Sequence, residues 1–271
     1  MERLQAAIEK ARAQREQRQP AQSPAASADR AETIAKTGPW DSIPMPTWDR
    51  AHIAKSRVVA MGSGPETNSI DMLRTRVVQL MRQNDCKRVA VTSPDKAAGK
   101  STTCANLLVS LARQADRRTI LCDLDMRRPS IAGIFGHKGE EGFAAVLAGR
   151  VPFEQQAVRF GETAAIAMNY HPERNPSEIL LSDRTTQVLA QIEKTYQPDI
   201  MIFDMPPMLV TDDAMAFLKN VDCCILVAGA ESTTIEQIDT CEKEIAGQTN
   251  VLGVVLNKCR HMESGYGYDY Y

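Results

Sequence analysis

Aromatic residues are scarce in this 271-residue chain, at 5%, and its formal net charge is only −2. A balance this close to neutral excludes a protein that coats nucleic acid by bulk charge, so no nucleic-acid partner is expected. No run approaches the roughly 18 uninterrupted apolar residues that a membrane span needs. The opening stretch, MERLQAAIEKARAQREQRQ, lacks the apolar centre of a secretory signal. The seven cysteines (Cys86, Cys104, Cys122, Cys223, Cys224, Cys241, Cys259) show no CxxC spacing, and most sit in apolar runs. That predicts reduced, buried thiols in a cytoplasmic protein. His52, His137, His171 and His261 are scattered without zinc spacing, which argues against a zinc cage. With 43% apolar residues, the length suffices for a core that needs no disulfides.

Three parts are predicted. Residues 1–50 form a leader. Its first 18 or so positions favour a marginal helix, and the Pro-, Ala- and Ser-rich stretch after them reads as disordered. Residues 51–262 form the folded domain. Residues 263–271 form a flexible tail that holds Tyr266, Tyr268, Tyr270 and Tyr271, four of the chain's six tyrosines. Within the domain, strands are expected at 88–92, 119–123, 164–168, 200–204, 223–228 and 251–257, and helices at 101–115, 177–196 and 233–246. Buried strands alternating with helices imply an α/β fold with a doubly wound, mostly parallel sheet. Ligands bind such sheets at the carboxyl ends of the strands.

The first strand runs into Ser93-Pro-Asp-Lys-Ala-Ala-Gly-Lys-Ser-Thr102, and a helical pattern follows. Gly99, Lys100, Ser101 and Thr102 match the second half of a P-loop. There, backbone N–H groups and a helix N-terminus cradle phosphates, the lysine reaches the β- and γ-phosphates, and the serine hydroxyl ligates Mg²⁺. Pro94 and Ala97 stand where glycine is common. The second strand ends in Asp123-Leu-Asp125-Met-Arg127. In extended geometry its two carboxylates fall on one side, an arrangement that a nearby cation stabilises. Asp204 ends another apolar run, as the second metal-binding acid of P-loop enzymes does. Together these predict a nucleotide site with Mg²⁺ as cofactor. The last strand ends in Asn257-Lys258-Cys259-Arg260 and lacks the aspartate of guanine-specific proteins, so ATP is preferred, with Asn257 placed to read the adenine edge.

These residues resemble the bacterial tyrosine kinases (BY-kinases) of polysaccharide synthesis and export, in their cytoplasmic, capsule-type form. The resemblance covers about residues 57–271. It rests on the P-loop at 99–101, Asp123-x-Asp125-x-Arg127, Asp204-x-Pro-Pro, the stretch Asn-Pro-Ser-Glu-Ile-Leu at 175–180, and the tyrosine tail. It implies a Min/Par-like P-loop fold and an ATP-dependent autokinase that phosphorylates its own C-terminal tyrosines and regulates exopolysaccharide or capsule polymerisation and export. It assigns phosphate binding to Lys100 and Arg127, metal to Ser101, Asp125 and Asp204, and activation of the acceptor hydroxyl to Asp123 and Asp125. It also implies self-association and a transmembrane polysaccharide copolymerase as activator, which would hold the chain at the inner face of the plasma membrane.

The chain departs from that family at several positions. Met205 stands where Thr or Ser is usual. The subunit-contact motif Glu-x-x-Arg-x-x-Arg reads Asn68-x-x-Asp71-x-x-Arg74, so ring formation either fails or uses different pairs. The early P-loop lysine of Min- and Par-type ATPases is replaced by Asp95, with Lys96 one residue out of register. A non-kinase Min/Par-type ATPase switch and a nucleotide-binding adaptor of a membrane copolymerase are the alternative readings.

Overall fold

Short apolar runs at the centre of the sheet become strands because both of their faces are covered. The computed structural model describes residues 38–259; most of the leader, and the tail with its four tyrosines, lie outside these residues. Strands β1 (Arg88–Thr92), β2 (Thr119–Asp123), β3 (Val158–Phe160), β4 (Ala164–Ala167), β5 (Ile200–Asp204), β6 (Cys223–Gly229) and β7 (Asn250–Asn257) form one sheet, in the order β3-β4-β2-β5-β1-β6-β7. Only the β3–β4 pair is antiparallel. Every residue of β2, β5 and β6 is buried, which explains their unbroken apolar character. The six expected strands are all present. The three-residue β3 is too short to show a period.

Helices α1 (Arg50–Lys55), α2 (Pro65–Gln83), α3 (Lys100–Ala112) and α4 (Ile131–Phe135) pack on one face, over Val89, Val91, Leu121 and Ile202. The other face carries α5 (Phe143–Leu147), α6 (Phe153–Gln156), α7 (Pro176–Leu181), α8 (Asp183–Tyr196), α9 (Asp213–Phe217) and α10 (Ile235–Ala246), over Ala90, Ile120, Met201 and Phe203. Successive strand residues therefore alternate between two apolar layers. Asp123 shares the parity of Leu121, and Asp204 that of Ile202, so both acids belong to the α3 layer.

The single helix expected over 177–196 is divided. Ser182 adopts extended backbone (ψ 138°), and its side chain accepts from the Arg184 N–H, ending α7 and capping α8. The start of α10 is fixed by a reciprocal capping box between Thr234 and Gln237.

The boundary at residue 50 needs correction. Residues 38–49 are not a disordered leader but a strap across the β3 edge. Trp40 and Ile43 are buried. The Trp40 indole donates to the Glu162 carbonyl at 2.8 Å, and the Trp48 indole donates to the Arg159 carbonyl at 3.0 Å. The Arg159 N–H donates to Pro44 O at 2.7 Å, so the strap satisfies an edge group that would otherwise invite another strand. Trp48 also packs among Phe135, His137 and Phe160. Both tryptophans of the chain lie in this strap. Their buried apolar surface outweighs the proline-rich composition around them.

Six of the seven cysteines are buried free thiols, and Cys259 is exposed. Among the described residues, no helix is long and apolar enough to cross a membrane.

Candidate active site

The site begins where β1 ends at the centre of the sheet. Thr92 donates through Oγ1 to Pro206 O at 2.7 Å, the Met208 N–H donates to Ser93 O at 2.9 Å, and the Leu209 N–H donates to Pro94 O at 3.1 Å. Pro94 has no N–H to offer phosphate, and its carbonyl instead pins the loop to the segment after β5. Ala97 and Gly99 both have positive φ, 60° and 98°. At Ala97 this left-handed backbone carries a Cβ and is strained by about 1–2 kcal/mol. Gly99 caps the N-terminus of α3. A Cβ there would lie 2.1 Å from Asn257 Nδ2, so only glycine fits.

The sequence places Asn257 at the adenine edge, and the structure gives its side chain a bracing role as well. Its Nδ2 donates to Ala98 O at 3.0 Å, and its Oδ1 accepts from the Lys258 N–H at 2.9 Å. Asn257 therefore ties the end of β7 to the P-loop.

A cavity of about 610 Å³ opens beside the loop. Gly99, Lys100, Ser101, Thr102, Asp125 and Arg127 line it, as do Arg57, Lys96, Arg128 and Lys258, none of which the sequence assigned to the site. Six cationic side chains around one carboxylate suit a polyanion such as a nucleoside triphosphate. Lys258 had a signal, as a remnant of the Asn-Lys element, whereas Arg57 lies in a segment without a motif.

Parallel register sets Asp123 directly beside Asp204. Both are fully buried, Asp125 is 8% exposed, and the Lys100 side chain is buried close by. Burial raises the Asp204 carboxyl to about 7, against the pull of Lys100 and the Ser101 hydroxyl. Burial likewise raises Asp123, with Asp204 adding to the rise and the Ile131 N–H opposing it. Asp125 is raised by burial and lowered by Lys100. Asp123 Oδ1 and Asp204 Oδ2 have no hydrogen-bond partner. Unpartnered buried carboxylate oxygens next to a lysine and a serine hydroxyl fit a cation carried by a phosphate ligand. Among the described residues there is no cage of three or more His, Cys, Asp or Glu. An ion held here would thus draw its remaining ligands from phosphate and water, as Mg²⁺ commonly does.

The predicted acids thus converge, but unequally. Asp125 faces the cavity, while Asp123 sits behind it, its Oδ2 accepting from the Ile131 N–H at 3.3 Å. Met205 is fully buried in the opposite layer. In the altered contact motif, Asp71 pairs within the chain with Arg74, with Arg113 and with the Ser110 hydroxyl. Two residues that matter were missed: Asn169, whose amide donates to Asp123 O at 2.8 Å, and Asp213, which pairs with Arg127. Single polar residues outside any motif carry no signal of their own.

A parallel sheet with a P-loop at its central strand and acids on the adjoining strand ends defines a nucleotide-dependent P-loop protein. The chain belongs to the ParA family of P-loop NTPases, whose model, described as NUBPL iron-transfer P-loop NTPase, matches residues 86–267. Within that class, several relatives bear the name tyrosine-protein kinase. It is 29% identical over 225 residues to the tyrosine-protein kinase YwqD of Bacillus subtilis, covering 80% of this chain and 94% of that protein. It is 27% identical to the putative tyrosine-protein kinase AmsA of Erwinia amylovora, over 79% of this chain and 30% of AmsA, so it spans about a third of that protein's length. The kinase domain of the Escherichia coli tyrosine kinase ETK superposes with a TM-score of 0.68 at 25% identity, covering 78% of this chain and 85% of that domain. The resemblance to the bacterial tyrosine kinases and the expected fold class are both borne out.

Proposed function

We propose that the chain is an ATP-dependent protein-tyrosine kinase that phosphorylates its own C-terminal tyrosines, Tyr266, Tyr268, Tyr270 and Tyr271. The observation that carries this reading is the cavity where Lys100 and Asp125 meet, whose wall includes Lys258. The tyrosine cluster begins eight residues beyond Lys258. An extended chain of that length spans up to about 26–29 Å, so acceptor and cavity are tethered at high effective concentration.

Lys100 and the N-terminus of α3 bind the phosphates, and Ser101 and Asp204 would hold Mg²⁺, with Asp125 at its edge. When bound, the ion neutralises phosphate charge. Transfer forms a bond between the tyrosyl oxygen and the γ-phosphorus and breaks the bond to the β,γ-bridging oxygen. The phenolic proton passes to Asp125, whose raised proton affinity narrows its distance from a phenol with pKa about 10. Asp123 supports this arrangement from behind.

The names of relatives such as YwqD and AmsA, a tyrosine-protein kinase and a putative one, support this chemistry. The resemblance carried by the P-loop, Asp123-x-Asp125-x-Arg127 and the tyrosine tail extends the reading to a role in exopolysaccharide or capsule polymerisation and export, with a transmembrane copolymerase as activator bringing the chain to the inner face of the plasma membrane. Incubation with Mg-ATP followed by phosphotyrosine mass spectrometry tests the reading, alone and with the candidate membrane partner. Label on the four tyrosines that disappears in Lys100→Met is expected. Its absence in both conditions overturns the kinase assignment. Engagement of Asp71 within its own chain favours a second reading, an ATPase switch without ring assembly, which predicts ATP hydrolysis with no phosphotyrosine.

A further inference from the structure

Asp213 plays no part in the chemistry above, yet it is 1% exposed and charged at the edge of the site. It stands on the first turn of α9 and accepts twice from Arg127, from Nε at 2.6 Å and from Nη2 at 3.0 Å. A bidentate pair fixes the plane of a guanidinium as well as its position. Arg127 follows β2 and Asp213 follows β5, so the pair locks together the two segments that carry the cavity's acids. The Arg127 side chain is 41% exposed and lines the cavity. With Nε and Nη2 engaged, its Nη1 has no partner among the described residues. Asp213 also lies near enough to Asp125 to raise its proton affinity. A buried negative charge beside a phosphate cavity opposes anion binding unless it serves to orient a cation.

We infer that Asp213 is a positioning residue that holds the Arg127 guanidinium so that its remaining donors meet a terminal phosphoryl group, either on the nucleotide or on the tyrosyl oxygen after transfer. This inference rests on the nucleotide-site reading above. It gives Arg127 a role that distinguishes tri- from diphosphate, which Lys100 and the P-loop backbone do not need to do.

Calorimetric titration of the full chain tests it with three probes: a non-hydrolysable ATP analogue with Mg²⁺, Mg-ADP, and a phosphotyrosyl peptide of residues 262–271 in the presence of Mg-ADP. Asp213→Asn keeps the shape and removes the charge. It is expected to weaken the analogue, the phosphopeptide or both by about tenfold, the scale of one charge-assisted hydrogen bond, and to leave Mg-ADP within about twofold. Loss confined to the analogue places Arg127 on the nucleotide, and loss confined to the peptide places it on the product. Arg127→Ala should show the same selectivity, and the double variant, which also removes the buried charge that Arg127→Ala leaves unpaired, should bind no more weakly than Arg127→Ala. Equal weakening of all three probes, no weakening of any, or additive losses in the double variant would overturn the inference. Failure of the native chain to bind Mg-ADP would instead overturn the nucleotide-site reading, and the inference with it.

Discussion

Replacing Asp204 with Asn removes a charge from the centre of the fold while keeping the side chain's shape. In the folded chain the Asp204 carboxyl rises from 3.8 to about 7, chiefly because it is buried. The folded state therefore holds this proton more tightly than the unfolded state. The group's effect on stability is most favourable below pH 4 and is lost progressively as pH rises towards 7. Each tenfold change in proton affinity corresponds to about 1.4 kcal/mol. The native chain should thus lose about 4 kcal/mol on full ionisation, of which about 2–3 kcal/mol falls between pH 5 and pH 8. Asp204→Asn lacks this contribution and keeps only those of the other buried acids. Urea unfolding without nucleotide at both pH values should show the variant gaining about 2–3 kcal/mol on the native chain at pH 8 relative to pH 5. Adding a Mg²⁺-bound ATP analogue at pH 8 should reverse the order, since only the native chain offers the ion the Asp204 carboxylate. A stability difference that is the same at both pH values would refute the assignment of Asp204 as a destabilising charge held ready for a cation.

Other consequences are simpler. Lys100→Met should reduce nucleotide affinity by at least tenfold in equilibrium dialysis, because it removes both a phosphate ligand and the cation that offsets Asp125 and Asp204. Gly99→Ala forces a Cβ against Asn257 on a backbone at φ 98°, and should cost about 1–2 kcal/mol of stability together with nucleotide binding. Adding Asn257→Ala should relieve the contact without restoring the native affinity, as measured by the same titration. Trp40→Ala should destabilise the chain by about 3–5 kcal/mol in chemical denaturation. A loss under 1 kcal/mol would mean that the strap is not part of the fold.

The chemistry of the cavity is local in sequence, and so it was legible there. Gly99, Lys100 and Ser101 lie side by side, and Asp123 and Asp125 lie two apart, so strand and helix geometry alone carries each group to one place. The central strands were equally plain, because a strand buried on both faces must be apolar throughout. Positions decided by contacts between distant segments were not legible. The tryptophans of the strap lie in a stretch whose composition predicts disorder, and only the apolar surface at the β3 edge makes their burial favourable. Asn257 ends its strand with the right residue for reading a base, and a glycine 158 positions earlier leaves room for its amide against the P-loop. Asp213 is one of two consecutive acids after an unremarkable loop, and its importance arises only because Arg127 reaches it. Spacing along the chain determined which chemical groups gather at the sheet's carboxyl edge. Packing between elements decided which of them face the cavity and which stand behind it, since that depends on what each side chain meets across the fold.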